Sequence, residues 1–394
     1  MNKKAIGSVL MILGTSIGAG MLALPVVTAH ENISMSLMLL LSSWIVMTLG
    51  ALSLLEVNLW LKPGTDLISM TRATLGVPGK ILTWIIYLLL LYSLICAYLS
   101  GTSDILKTLL TNIDINIPQW LATLISLAIV STIVGRGIGS VDLVNRGLLS
   151  VKLIAYLILI ALTSSHLNLN WAFQGDYQWH DDAMMLMLTS FGFAIIIPSL
   201  RTYLDSDQKL LKKVVLIGSL LPLLIYTVWI IVIQSIIPRQ GTGGLIDMIT
   251  SPQTNSMLMQ SISLVLHTSI STQITKLFIS ICAVTSFLGV SICLTNFVAD
   301  GLNTATHTKS KLLVYAVSYL PPLLIVFISP GIFIRALSYA GILCLLLLII
   351  IPLAMLYVGR YKLNLERNQI MPGGKKVIIG LLILGVGLLL INLF

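Results

Sequence analysis

The segment Gly14-Thr15-Ser16-Ile17-Gly18-Ala19-Gly20 places small and hydroxyl-bearing residues inside an apolar run from Ala5 to Thr28. That run is long enough to cross a bilayer as a helix, yet its centre holds the residues least suited to staying helical. Backbone that leaves the helix at membrane depth survives only where protein or a water-filled cavity supplies partners for the freed amides and carbonyls. The chemistry on offer is that of backbone dipoles: amides opening a half-helix suit an anion, and carbonyls closing one suit a cation. A second stretch, Ser190-Phe191-Gly192-Phe193-Ala194 with Pro198 just beyond, interrupts another apolar run in the same way. For either stretch alone the alternative is close helix packing, since Gly14-xxx-Gly18 is also a small-xxx-small pattern. Two interruptions at corresponding places favour a pair of broken helices around a small-molecule site.

The elements that must position these stretches follow from composition. With 57% hydrophobic and 9% charged residues over 394 positions, and a mean hydropathy of +1.01, the chain is a polytopic membrane protein. Cys96, Cys282, Cys293 and Cys344 all fall inside apolar runs without a CxxC pair, so buried thiols are expected and no disulfide. Apolar runs of spanning length occur at 5–28, 33–61, 81–104, 119–135, 148–165, 183–203, 213–237, 273–301, 312–328, 333–357 and 377–393, which predicts eleven transmembrane helices. The first run carries Lys3 and Lys4 in front and Val27-Thr28-Ala29 behind, but it exceeds the roughly 7–15 residues of a signal core, so it is expected to be retained. Pro238 to Thr272 is expected to form short helices over the bundle. Pro63 to Gly79 is expected to do the same on the other face, with Thr65 as N-cap and Gly76 as stop.

Charge sets the orientation. Placing the N-terminus in the cytoplasm puts all but four of the 23 Lys and Arg residues inside, the exceptions being Lys107, Arg239, Lys276 and Arg335. The net charge of +9 is thus a topology signal, and no nucleic-acid partner is expected. Five spans separate the two interruptions, so they cross in opposite directions. Spans 1–5 (5–165) and 6–10 (183–357) are therefore expected as inverted repeats of one transporter domain, with 377–393 peripheral and the C-terminus outside.

The stretch from Gly7 to Pro25, GSVLMILGTSIGAGMLALP, resembles the first span of the aromatic and hydroxy amino acid permeases of the amino acid–polyamine–organocation superfamily. Thr189-Ser190-Phe191-Gly192-Phe193, Thr285-Ser286-Phe287-Leu288-Gly289-Val290 with Ala299-Asp300-Gly301-Leu302, and Val141-Asp142-Leu143 extend the likeness across nearly the whole chain, with the tyrosine and tryptophan permeases closest. The resemblance implies an all-α fold of the LeuT-like 5+5 inverted-repeat class and proton-coupled import of an aromatic amino acid, tyrosine first. A proton symporter for serine or threonine on the same fold is the rival.

A zwitterionic substrate needs donors for its carboxylate and acceptors for its ammonium. Amides of Gly18, Ala19 and Gly20 are expected to hold the carboxylate, and carbonyls near Thr15 and Ser16 and at Phe191 the ammonium. Phe191 and Phe193 are assigned to the side-chain pocket beside Ser190 and Gly192, with Tyr92, Tyr98 and Tyr339 as further candidates. For each ring the alternative is ordinary bundle packing or an interfacial belt.

In LeuT-like relatives a sodium ion sits between spans 1 and 8. The resemblance implies that the Lys152 ammonium takes that place, among the carbonyls of Gly14 and Ile17 and the hydroxyls of Thr285 and Ser286. A buried ammonium is a credible proton switch, because removal from water penalises its charged form. A lysine snorkelling to the interface is the alternative. Glu56 in span 2 is a second candidate for proton coupling, against a gate or a solvated face, and Asp300 is expected in a cytoplasmic charge network. No metal or organic cofactor is expected beyond the proton, and a single copy suffices for the site.

A membrane-embedded enzyme is disfavoured, because His30, His166, His180, His267 and His307 all lie in loops or at span ends and no paired carboxylates sit mid-span. A channel is disfavoured by two broken helices within an odd number of spans. The expected location is a bacterial-type inner membrane.

Overall fold

The computed structural model describes residues 3–302, 308–365 and 369–393. Among them there is no strand, and seventeen α-helices carry the fold. They are α1 (Lys3–Ser16), α2 (Ala19–Val27), α3 (Ile33–Trp60), α4 (Leu67–Thr111), α5 (Gln119–Gly135), α6 (Ile138–Thr163), α7 (Leu169–Phe173), α8 (Asp181–Ser190), α9 (Ile197–Tyr203) and α10 (Gln208–Ile236), then α11 (Leu245–Thr250), α12 (Thr254–Leu266), α13 (Ser269–Gly301), α14 (Thr308–Ile328), α15 (Phe333–Leu345), α16 (Ile351–Tyr361) and α17 (Lys375–Leu393).

Nine stretches among the described residues are long and apolar enough to cross a membrane, and the bent pair α1 and α2 makes ten. The expected fourth span, α5, is a helix of 17 residues, so the structure supports ten spans by length and leaves the eleventh of the expected count short. The rim follows local chemistry. Asn32, Asp207 and Thr268 cap α3, α10 and α13 by accepting a backbone N–H from the third residue on. The cap of α4 is Asp66 rather than the expected Thr65: the Asp66 carboxylate accepts the Ser69 N–H at 2.9 Å, while the Thr65 hydroxyl donates back to the Lys62 carbonyl. Gly76 interrupts α4 at φ +75°, a conformation that suits glycine, and divides a surface turn from the long span. The segment after α10 forms α11 and α12, as its apolar patches lead one to expect.

The core is a packed bundle in which α15 lies against α4 and α8, α13 against α6 and α4, and α10 against α1 and α3. Small residues allow the closest approaches. A side chain at Gly341 would meet the Met185 carbonyl of α8 at 2.0 Å, so α15 touches α8 backbone to backbone. Pro352 cannot donate to the carbonyl of Leu348, and the backbone there is a π-helical stretch, Leu346–Ile350, that reads in the sequence as nothing more than unbroken aliphatic residues.

Candidate substrate site

Both interruptions form, with different geometry. After Ser16 the chain leaves the helix for two residues and resumes at Ala19, bending α1 against α2 by 54°. Gly18 caps α2 in extended backbone, φ −159° and ψ −154°. A Cβ there would lie 2.0 Å from the Ser286 hydroxyl, so glycine is required by close approach. The second interruption is shallower: α8 ends at Ser190, a tight 3₁₀ turn carries Gly192–Ile196, and α9 follows. Pro198 lies in the first turn of α9, where its missing N–H costs no hydrogen bond, so it helps start that helix rather than break one.

The two interruptions meet. A side chain on Gly20 would sit 3.1 Å from the Ser190 hydroxyl. On α10, which the sequence offers only as an apolar run, the Tyr226 hydroxyl lies 2.6 Å from the Ser16 carbonyl and 3.0 Å from the Ser190 carbonyl. These are the closing carbonyls of α1 and α8, the ends that carry partial negative charge. The Ala19 N–H donates to the Ser286 hydroxyl at 2.9 Å, fixing the start of α2 to α13.

Phe191, next to Ser190, and Tyr226 bring aromatic rings to this crossing. Both are 0% exposed, as is Trp229 one turn further along α10, and Phe193 is 1% exposed. Phe191 and Tyr226 sit with ring centroids 5.2 Å apart; Trp229 packs edge-on to Phe278 at 5.4 Å and lies 6.3 Å from Tyr156. Such offset and edge-on arrangements are the favourable ones for aromatic pairs. Tyr98 is buried. The Ser16 hydroxyl and the Trp229 indole N–H are buried with no protein hydrogen-bond partner among the described residues.

Several expected residues stand elsewhere. Thr15 is exposed and its hydroxyl donates to the Ile12 carbonyl of its own helix. Tyr92 is half-buried and donates to the Val317 carbonyl of α14 at 2.7 Å, a packing contact. Tyr339 is 57% exposed and faces outward from the bundle. Gly192 faces Cys344 and Leu348 of the α15–α16 span rather than the first break.

Lys152 is 1% exposed, so it does not snorkel. Its ammonium donates to the Ile17 carbonyl at 2.5 Å and to the Thr285 hydroxyl at 3.3 Å, bridging the break in the first span to α13. The other two expected partners are engaged differently: Gly14 packs toward Leu149, and Ser286 is spent on the Ala19 amide and the Cys282 carbonyl. Among the described residues no carboxylate pairs with Lys152.

Glu56 is far from that arrangement in its bonding. Its buried carboxylate receives the Arg360 guanidinium at 2.7 and 2.6 Å and the amides of Ile370 and Met371 at 2.8 and 2.9 Å. Four donors converge on the carboxylate, three of them on Oε2, which makes it a clamp between α3, α16 and the segment before α17. Asp300 is exposed at the end of α13.

Two further buried arginines escaped sequence reasoning because isolated arginines at span ends look like ordinary rim charges. On the N-terminal face, Arg201 donates to the Asn58 and Leu61 carbonyls that close α3, and Lys4 pairs with Asp205 at 2.6 Å. On the opposite face, Arg239 gathers the carbonyls of Ala29, Glu31, Trp171 and Ala172. Buried Glu31 there accepts the His180 N–H and faces the His180 ring at 3.2 Å, with His30 stacked beside His180 at 5.0 Å. Burial holds Glu31 above the usual carboxylate range and His30 below the usual histidine value, the neighbouring His180 adding to the latter.

Comparison with known proteins bears on family and fold. The tyrosine-specific transport system 1 of Haemophilus influenzae is 28% identical over 97% of this chain and 95% of its own length. The glutamine transporter 2 of Aliivibrio fischeri is 29% identical over the whole of both chains. Among solved structures, the manganese transporter of Eremococcus coleocola superposes with a TM-score of 0.66 at 13% identity, covering 99% of this chain and 85% of that one, which shows a LeuT-like transporter fold and nothing about cargo. The model of the tryptophan/tyrosine permease family matches residues 1–392, and the chain belongs to that family of membrane-embedded amino-acid transporters.

Proposed function

We propose that the protein is a proton-coupled symporter that imports an aromatic amino acid, tyrosine first and then tryptophan or phenylalanine, by alternating access. The observation that carries this reading is the pair of buried rings, Phe191 and Tyr226, that stands where the two helix breaks meet, with Phe193 and Trp229 buried a few residues along the same elements. The opening amides of α2 suit a substrate carboxylate, and the closing carbonyls of α1 and α8 suit its ammonium. The unpartnered Ser16 hydroxyl and Trp229 N–H add polar groups that a ligand can satisfy. The tyrosine-specific relative supports the choice of substrate.

In this reading spans 1–5 and 6–10 are inverted repeats, and the N-terminus is cytoplasmic in an inner membrane. Arg201, Lys4–Asp205 and the Glu56–Arg360 clamp close the inner face, while Arg239 and Glu31 close the outer one. Lys152 is the titrating group: charged, it ties Ile17 to Thr285; neutral, it releases that tie and lets α1 move.

The glutamine-transporting relative favours a second reading, in which a polar side chain occupies the same backbone site. A thermal-shift screen of the purified protein against the twenty amino acids separates the two. Stabilisation by tyrosine, tryptophan or phenylalanine is expected; stabilisation by glutamine, serine or threonine alone would overturn the aromatic assignment. Counterflow of labelled substrate with trans-stimulation distinguishes alternating access from conduction.

A further inference from the structure

We propose that the Tyr226 hydroxyl is a stand-in for the substrate ammonium, occupying its place in the empty transporter so that the closed, unloaded state can form and the carrier can return. The inference rests on the substrate site proposed above and adds a residue and a step to it. Two helices, α1 and α8, end at Ser16 and Ser190 and point their closing carbonyls at one spot. Such carbonyls have no partner within their own helices and lie at the negative end of the helix dipole, so burying both without a donor is costly. Both residues are buried, and Tyr226 is 0% exposed.

The hydroxyl lies between the two oxygens, at 2.6 and 3.0 Å. It carries a single proton and can donate to one of them at a time. An ammonium carries three and a full positive charge, so it serves both carbonyls at once and gains from both dipoles. To do so it must take the hydroxyl's position. The Tyr226 ring stands 5.2 Å from Phe191, the residue next to Ser190, so displacing the hydroxyl also disturbs a ring of the side-chain pocket.

The consequence is an asymmetry between two transport modes. Net uptake requires the unloaded carrier to close and reorient in every cycle, whereas exchange with substrate on both sides never passes through that state. Removing the hydroxyl should impair the first more than the second. It should also tighten equilibrium binding, because the ammonium no longer competes with an internal donor.

The test uses the full-length protein in liposomes, with Tyr226→Phe compared to wild type, labelled tyrosine as probe and labelled glutamine in parallel, since any amino acid carries the ammonium. Net uptake into substrate-free vesicles is expected to fall about tenfold, counterflow into preloaded vesicles to fall by a clearly smaller factor, and binding to tighten roughly fivefold, the scale of one net hydrogen bond. Tyr226→Met also lacks the donor but removes a pocket ring as well, so it is read with labelled glutamine, where it should give the same split and keeps the question answerable if the phenylalanine variant does not fold. Parallel loss of net uptake and counterflow would overturn the proposal, because the hydroxyl would then be holding substrate. Unchanged net uptake would also overturn it, by making the bond merely structural. A wild-type protein that binds and exchanges neither probe would instead sink the underlying site assignment, and the stand-in with it.

Discussion

Replacing Lys152 by methionine separates stability from coupling. The side chain is 1% exposed and its ammonium has two acceptors, the Ile17 carbonyl at 2.5 Å and the Thr285 hydroxyl at 3.3 Å. Burying an ammonium costs several kcal/mol even after the protein relaxes. The two charged hydrogen bonds return about 1.5–3 kcal/mol each, the longer one at the low end. Methionine keeps the unbranched stem, removes the desolvation cost and leaves the Ile17 carbonyl short of a donor, at about 1–3 kcal/mol. These contributions nearly cancel, so Lys152→Met should change unfolding stability by no more than about 2 kcal/mol in either direction. Its effect on transport should be qualitative. In liposomes with an imposed pH gradient, wild-type uptake follows the gradient; the variant should still catalyse counterflow and should be indifferent to the gradient. A folded Lys152→Met protein whose uptake still tracks the pH gradient would refute the assignment of the proton to this lysine.

Glu56→Gln should show the opposite pattern: loss of the buried charge pair with Arg360 costs about 3–5 kcal/mol in unfolding stability, while gradient-driven uptake per folded molecule keeps its wild-type pH dependence. A shifted pH dependence would return Glu56 to the proton pathway. Gly18→Leu places side-chain atoms where the Ser286 hydroxyl stands, 2.0 Å from the new Cβ, so amino-acid binding by thermal shift should vanish in a protein that still inserts; unchanged affinity would reduce the motif to helix packing. Beside Arg239, on the face away from the N-terminus, burial first and the neighbouring His180 second hold His30 below its usual 6.5, so the contribution of its neutral form is intact above 6.5 and is lost as pH falls through the lowered value. Glu31 is shifted the other way: its contribution is complete below the usual 4.5 and is lost as pH rises through the raised value. Protection of the segment 171–180 in hydrogen exchange, corrected for intrinsic rates, should therefore weaken below pH 6.5 through His30 and be partly restored toward pH 4.5 as Glu31 regains its contribution, and His30→Gln should remove the weakening. An unaltered slope in the variant would show that another group controls this protection.

Much of this architecture is legible in the residues themselves, because membrane insertion imposes simple local rules. Length and apolarity mark the spans, and helix-poor small residues mark the break at Gly14 to Gly20 independently of any neighbour. Lys152 is legible as unusual because a charge within an apolar run has so few stable explanations. The limits are equally physical. Tyr92, Tyr98 and Tyr339 are indistinguishable as sequence, yet one bonds to α14, one is buried and one faces outward, since ring direction depends on helix rotation and tilt. Glu56 offers a carboxylate to the eye, and only the return of α16 and the segment before α17 shows that Arg360 and two amides occupy it.

What the sequence determined by itself, then, is that the helix breaks inside the first span, because glycine and serine in such a run leave the chain free to turn out of the helix. Which side chains meet the freed backbone groups depends on how the helices pack. Tyr226 comes from a run with no interruption of its own, and it matters because helix packing brings its hydroxyl to the two carbonyl ends at Ser16 and Ser190, residues 210 and 36 positions away along the chain.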